Sequence, residues 1–127
     1  PGLIDGLRCV RDSINSYTVD RLAQAGAAAA FRDEDYFQGI CRRVINTRER
    51  TVRALKDKNF TVLSSQTNFL FVSCPGRAGR ALLDGLRERG ILVRWWDRPD
   101  IQDWLRISIG TDEEMDALVQ ALCELIV

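Results

Sequence analysis

Two arginines at strand-like positions are the residues best suited to chemistry. In Trp104-Leu105-Arg106-Ile107-Ser108-Ile109, period-two alternation puts Leu105, Ile107 and Ile109 on one face. Arg106 then lies on the other face, with Trp104 and Ser108. In Leu92-Val93-Arg94-Trp95-Trp96, the same alternation groups Arg94 with Leu92 and Trp96. A guanidinium held on a rigid strand suits bidentate capture of a carboxylate or phosphate. The same placement also suits an arginine on the wet side of a half-exposed sheet, or one in a structural ion pair. Asn68 opens a strand directly after Ser65-Gln66-Thr67, a position from which it could meet a ligand or simply cap the turn.

What is missing narrows the chemistry further. The chain has no histidine, which excludes histidine-based metal sites, Ser-His-Asp triads and imidazole acid–base catalysis within it. Of its 18 basic residues only Lys56 and Lys58 are lysines. Both fall at the end of a helix, where a solvated cation complements the dipole and nothing depresses a pKa toward Schiff-base chemistry. Cys9, Cys41, Cys74 and Cys123 form no C-x-x-C pair and are expected as reduced core thiols of a cytosolic protein. Gly76-x-x-Gly79 and Gly85 lack the spacing of a dinucleotide fingerprint. Trp95, Trp96 and Trp104 could stack bases, or could cover a sheet or an interface.

The elements that must hold these residues are legible from periodicity. Pro1 to about Phe31 reads as a short helix, a break at Ile14-Asn15-Ser16, and an alanine-rich helix. Asp33-Glu34-Asp35 opens a long helix, acidic at its start as the macrodipole favours. Its apolar stripe is Phe37, Ile40, Cys41, Val44, Ile45, Val52 and Leu55, with Asn59 as C-terminal cap. Strands are expected at 60–64, 68–74, 91–96 and 104–110. A helix over 77–89 directs Ala78, Ala81, Leu82 and Leu86 inward and ends at Gly90. The last helix begins at a capping box, Thr111-x-x-Glu114, and buries Met115, Leu118, Val119, Leu122 and Ile126. Strands and helices segregate, so the expected class is α+β: a small, mostly antiparallel sheet of about four strands covered by helices on one face.

Composition agrees with this picture. A 127-residue chain that is 46% apolar and 28% charged belongs to a soluble globular class. It would expose roughly 6,800 Å² folded against roughly 21,000 Å² unfolded, enough burial for a core without disulfide or metal staples. No apolar run approaches the roughly 20 residues of a membrane helix. Net charge is zero with basic and acidic residues interleaved, which argues against nucleic acid as a partner. The chain opens at Pro1 without a signal-peptide pattern, and the small-residue helix near its start buries little area. Both features are expected of a piece of something longer.

Four segments, in order, resemble one family. Leu105-Arg106-Ile107-Ser108-Ile109-Gly110-Thr111-Asp112-Glu113-Glu114 resembles the LRI-[ST]-[VI]-G-T-x-E-E segment of histidinol-phosphate aminotransferases. Gly90-Ile91-Leu92-Val93-Arg94 resembles their G-I-x-V-R strand. Ser64-Ser65-Gln66-Thr67-Asn68-Phe69-Leu70 is similar to their S-x-x-N-F-[LIV] strand start. The stretch from Asn15-Ser16-Tyr17-Thr18 through Gln24 is similar to N-x-Y-x-V-x-x-L-A-Q.

The resemblance implies the C-terminal part of a fold-type-I, pyridoxal-phosphate-dependent enzyme. Residues 33–127 would be its small domain, and residues 1–32 a helical remnant of the large cofactor-binding domain. It implies that Arg106 takes a substrate α-carboxylate and Arg94 the phosphate end, with Asn68 and Tyr17 at family substrate-binding positions. The lysine that carries pyridoxal phosphate would lie outside this chain, leaving it inactive alone and without a catalytic residue of its own. The implied substrates are histidinol phosphate and glutamate or 2-oxoglutarate, in a cytoplasmic homodimer that binds neither nucleic acid nor membrane. The residues alone also allow a stand-alone α+β module binding anions or single-stranded nucleic acid.

Overall fold

The computed structural model describes residues 2–14 and 19–126, so Tyr17 lies outside the described residues. In chain order the elements are α1 (Gly2–Ile14), α2 (Arg21–Arg32), α3 (Glu34–Lys56), β1 (Thr61–Val62), β2 (Phe69–Ser73), α4 (Gly79–Glu88), β3 (Trp104–Ser108) and α5 (Asp112–Ile126). The chain divides into two compact units, Pro1–Gln38 and Gly39–Val127.

In the first unit every residue whose side chain is described is exposed. Asp20 caps α2 by accepting from the Ala23 N–H at 2.7 Å, the side-chain solution to an orphan helix donor. The helices carry apolar stripes with no core beneath them: Leu3, Ile4, Leu7 and Val10 on α1 are all more than half exposed.

The second unit holds the core. β1, β2 and β3 form an antiparallel sheet in that order, with Val62 opposite Val72, and Leu70 opposite Ile107. Alternation along the strands sends Val62, Leu70, Val72, Leu105 and Ile107 into the core, where α4 supplies Leu82, Leu83 and Leu86, and α5 supplies Met115, Leu118 and Leu122. Phe69, Phe71, Trp104 and Arg106 take the alternate positions along the same strands. Helix ends follow the expected chemistry. Asn59 adopts φ 63° while the Phe60 N–H reaches back to the Leu55 carbonyl at 3.1 Å, as a left-handed cap requires. Thr111 and Glu114 cap one another, the Thr111 N–H donating to Glu114 Oε2 at 2.8 Å and the Glu114 N–H to Thr111 Oγ1 at 3.3 Å.

Three expectations need correction. The fourth strand, at 91–96, shrinks to a single antiparallel bridge between Arg94 and Arg106. Ile91, Val93 and Trp95 still pack on the core, but Trp95 Nε1–H donates to the Gln102 carbonyl at 2.7 Å. Linked turns over 96–104 then lead into β3, so Arg94 is the one residue of the segment that pairs with that strand. On α3, Phe37 and Ile45 are exposed, while Thr47, Arg48 and Thr51 are buried beside Leu55, because each of these polar side chains has a specific hydrogen-bond acceptor. On α4 the inward residues include Gly79 and Leu83, whereas Ala78 and Ala81 are exposed.

Gly79 is small for a packing reason. A Cβ there would stand 2.5 Å from the Gln102 carbonyl oxygen and 2.9 Å from the Asp103 carbonyl carbon, both backbone atoms. Gly79→Ala is therefore expected to lower stability by about 1–3 kcal/mol, read as a drop in the urea midpoint at unchanged m-value.

α3 and α5 are tied by a polar cluster. Thr47 Oγ1–H donates to Asp112 Oδ1 at 2.8 Å, and Arg50 pairs with Asp112 at 3.1 Å and with Asp116. The Thr47 hydroxyl, and then the Arg50 charge, hold the Asp112 carboxyl below its ordinary pKa. A depressed carboxylate stabilises the fold above its unfolded value, near 3.9, and loses that contribution as pH falls through its folded value. Thr47→Val should flatten the acid limb of a Tm-against-pH profile, at pH values below about 4.

Candidate functional site

The site grows from the one bridge that replaces the fourth strand. The Arg94 N–H donates to the Arg106 carbonyl at 3.0 Å, and the Arg106 N–H donates to the Arg94 carbonyl at 2.8 Å. Residues paired in this way on antiparallel segments send their side chains to the same face. The two arginines that the sequence placed on separate strands therefore stand side by side, away from the core.

Aromatic rings fix both guanidiniums. Arg106 Cζ lies 4.5 Å from the centre of the Phe69 ring and 5.5 Å from that of Trp96. Arg94 Cζ lies 5.5 Å from the same Trp96 ring. Phe71 stacks on Trp104, with centroids 5.1 Å apart and planes inclined by 15°, and meets Trp96 edge-on at 6.4 Å. Contact between a guanidinium and a ring face leaves the in-plane N–H edge free to donate. Among the described residues neither Arg94 nor Arg106 has an ion pair or a side-chain hydrogen bond, and both are exposed. Like charges placed opposite one another across strands repel, so an anion bound at this pair relieves repulsion while gaining oriented donors. A groove of about 330 Å³ runs beside Arg106, lined also by Leu63, Ser64, Ser65, Gln66, Thr67, Phe69 and Phe71.

Asn68 adjoins this groove in sequence, and its side chain is exposed. Its carbonyl accepts the Ile109 N–H at 2.8 Å. The turn before it is capped by other residues. Ser65 Oγ accepts the Thr67 N–H at 3.1 Å and donates to the Phe69 carbonyl at 2.6 Å, and Thr67 Oγ1 accepts the Phe69 N–H at 3.1 Å. The Ser65-x-Thr67 spacing before a strand was the available signal for these two hydroxyls. Nothing in the sequence pattern marked Arg48, whose buried guanidinium donates to the Thr67 carbonyl at 2.9 Å.

The remaining candidates lie elsewhere or lack partners. Lys56 and Lys58 are exposed at the end of α3. Trp95 is held by Gln102 and lies under Arg80, separate from the Trp96–Phe71–Trp104 group, so the three tryptophans do not form one stacking platform. Cys9 is exposed, Cys41 and Cys123 are half-buried, and only Cys74 is buried, which corrects the expectation of four core thiols. Burial pushes the Cys74 thiol up, against a smaller downward pull from Arg77. No cluster among the described residues has the side chains to hold a metal ion. No described helix is long and apolar enough to cross a membrane.

Known proteins resemble the chain over nearly its whole length. The sequence pattern of the aminotransferase class I and II family matches residues 3–122. The histidinol-phosphate aminotransferase of Chromohalobacter salexigens is 51% identical over 120 residues, covering 94% of this chain and 34% of that protein. That of Clostridium beijerinckii is 47% identical over 120 residues, with the same coverage of each. Among solved structures, the histidinol-phosphate aminotransferase of Sinorhizobium meliloti in complex with pyridoxal-5'-phosphate superposes with a TM-score of 0.77. It is 34% identical, and the match covers 92% of this chain and 33% of that one. The chain thus spans about a third of the length of the relatives it matches.

Proposed function

The chain belongs to the class I and II aminotransferases, and from that premise we propose that it is the substrate-gripping part of a longer histidinol-phosphate aminotransferase. The observation that carries this reading is the bridged pair of Arg94 and Arg106. Histidinol phosphate and glutamate are both anionic, and one enzyme that handles them in turn must grip a phosphate and a carboxylate. Arg106 takes the carboxylate and Arg94 takes the phosphate end. Both guanidiniums rest against the same Trp96 ring, so part of the positioning entropy is lost before the substrate arrives. Asn68, immediately before β2, and Tyr17 are further substrate-binding residues of the longer enzyme.

Pyridoxal phosphate is the cofactor of the longer enzyme. The residues described here do not fit it: both lysines are exposed at a helix end. This chain therefore binds and orients substrate, excludes water from the arginine face when that face is covered, and leaves bond-making to the rest of the enzyme. Residues 33–127 act as the small domain and residues 1–32 belong with the large one, in a cytoplasmic homodimer. The deciding assay follows amino transfer from histidinol phosphate to 2-oxoglutarate by the full-length enzyme. Turnover supports the reading. Turnover with aromatic amino acids but none with histidinol phosphate overturns the substrate assignment.

A further inference from the structure

Arg48 is 6% exposed on α3, yet among the described residues it has no carboxylate partner. Burying a guanidinium is costly unless its donors are used. A leucine or methionine here would extend the apolar surface around Leu55 without that cost. Arg48 instead donates to the carbonyl of Thr67, nineteen residues along the chain. Thr67 in turn caps the Phe69 N–H with its hydroxyl, and the Phe69 ring carries the Arg106 guanidinium at 4.5 Å. The turn residues Leu63, Ser64, Ser65 and Gln66 line both the groove beside Arg48 and the groove beside Arg106. One buried cation therefore holds the turn that separates it from an exposed one.

We propose that Arg48 is a positioning residue for anion binding: by clamping the Thr67 carbonyl it fixes the turn and Phe69, and so sets the orientation in which Arg106 meets its carboxylate. This rests on the substrate-gripping role proposed for Arg106. A helix side chain is a better anchor than the turn's own hydroxyls, because α3 is fixed by Leu55 and Thr51 in the core. Loss of the clamp leaves the Arg106 charge in place but lets its plane wander.

The test uses the full-length enzyme with glutamate as the probe. Arg48→Met keeps length and removes the donors; it should raise the glutamate KM about tenfold and leave kcat nearly unchanged, with Arg48→Lys recovering part of the loss. Thr67→Val keeps the carbonyl that Arg48 uses but deletes the hydroxyl on Phe69, and should raise KM similarly, while Thr67→Ser stays at the wild-type value. The Thr67 pair tests the link from the turn to Phe69. Where Arg48→Met does not fold, Arg48→Lys decides the link to the turn, because it keeps a buried donor but loses the guanidinium fork. A KM unchanged in Thr67→Val removes the route through Phe69, and an Arg48→Met or Arg48→Lys that lowers Tm but leaves KM unchanged removes the clamp; either overturns the proposal. Arg106→Ala separates the two levels. If it raises KM while the Arg48 and Thr67 variants do not, only the positioning role fails; if it too leaves KM unchanged, the functional reading beneath it fails as well.

Discussion

Arg106→Ala is expected to weaken carboxylate binding by about 100-fold, read as the glutamate KM of the full-length enzyme. A bidentate pair makes two charge-assisted hydrogen bonds, each worth about 1.5–3 kcal/mol. The face is open, so solvent screening brings the sum down to about 3 kcal/mol, which at 1.4 kcal/mol per decade is about two decades. Arg106→Lys keeps the charge but loses the planar fork and should cost about tenfold. Neither change should unfold the protein. Arg106 is exposed and faces Arg94, so removing it relieves one repulsion and gives up two ring contacts, each worth about 0.5–1 kcal/mol at an exposed site. An unchanged Tm beside a hundredfold KM effect would separate recognition from folding.

Leu105→Ala is the second large effect, and it appears in stability instead of binding: the fold weakens while the arginine face keeps its residues. Leu105 is 1% exposed and sits on the core face of β3, opposite Val72 of the central strand β2. Truncating a leucine in such a place costs about 2–5 kcal/mol, the spread reflecting how far the cavity can collapse. For a folding unit of this size each kcal/mol moves Tm by about 4–8 °C, so a fall of at least about 8 °C should appear in a thermal melt. Leu92→Ala is the matched control. Leu92 is 80% exposed, and its loss should stay within about 0.5 kcal/mol. Equal effects at Leu105 and Leu92 would mean that the strand register assigned to β3 is wrong.

Local chemistry made much of the fold readable. The acidic start of α3, the Asn59 cap and the Thr111/Glu114 box each depend on residues within a few positions, and each is where its residues place it. The alternation that put Arg106 opposite Leu105 and Ile107 is likewise a property of one strand. What failed was long-range. Segment 91–96 has the residues of a strand, but its pairing with β3 is a contact across the 96–104 turns and is made at Arg94 alone. Thr47 and Arg48 look like the polar side of an amphipathic helix, and only the positions of Asp112 and Thr67, far along the chain, make them buried.

The site was legible in its parts and not in its assembly. Two strand arginines flagged themselves, because a charge at such a position asks for a reason. Their pairing across a single bridge, and the use of Trp96 by both, needed the register of 91–96 against β3. The rest of the family reading came from motif order.

The most direct test of the two-ended grip is a comparison of KM values for histidinol phosphate and for glutamate in Arg94→Ala of the full-length enzyme. If Arg94 holds the phosphate end, KM for histidinol phosphate should rise by about 30- to 100-fold, the cost of a charge-assisted contact to phosphate, while KM for glutamate moves little. If both KM values and kcat stay at their wild-type levels, Arg94 is structural and the two-anion grip is wrong.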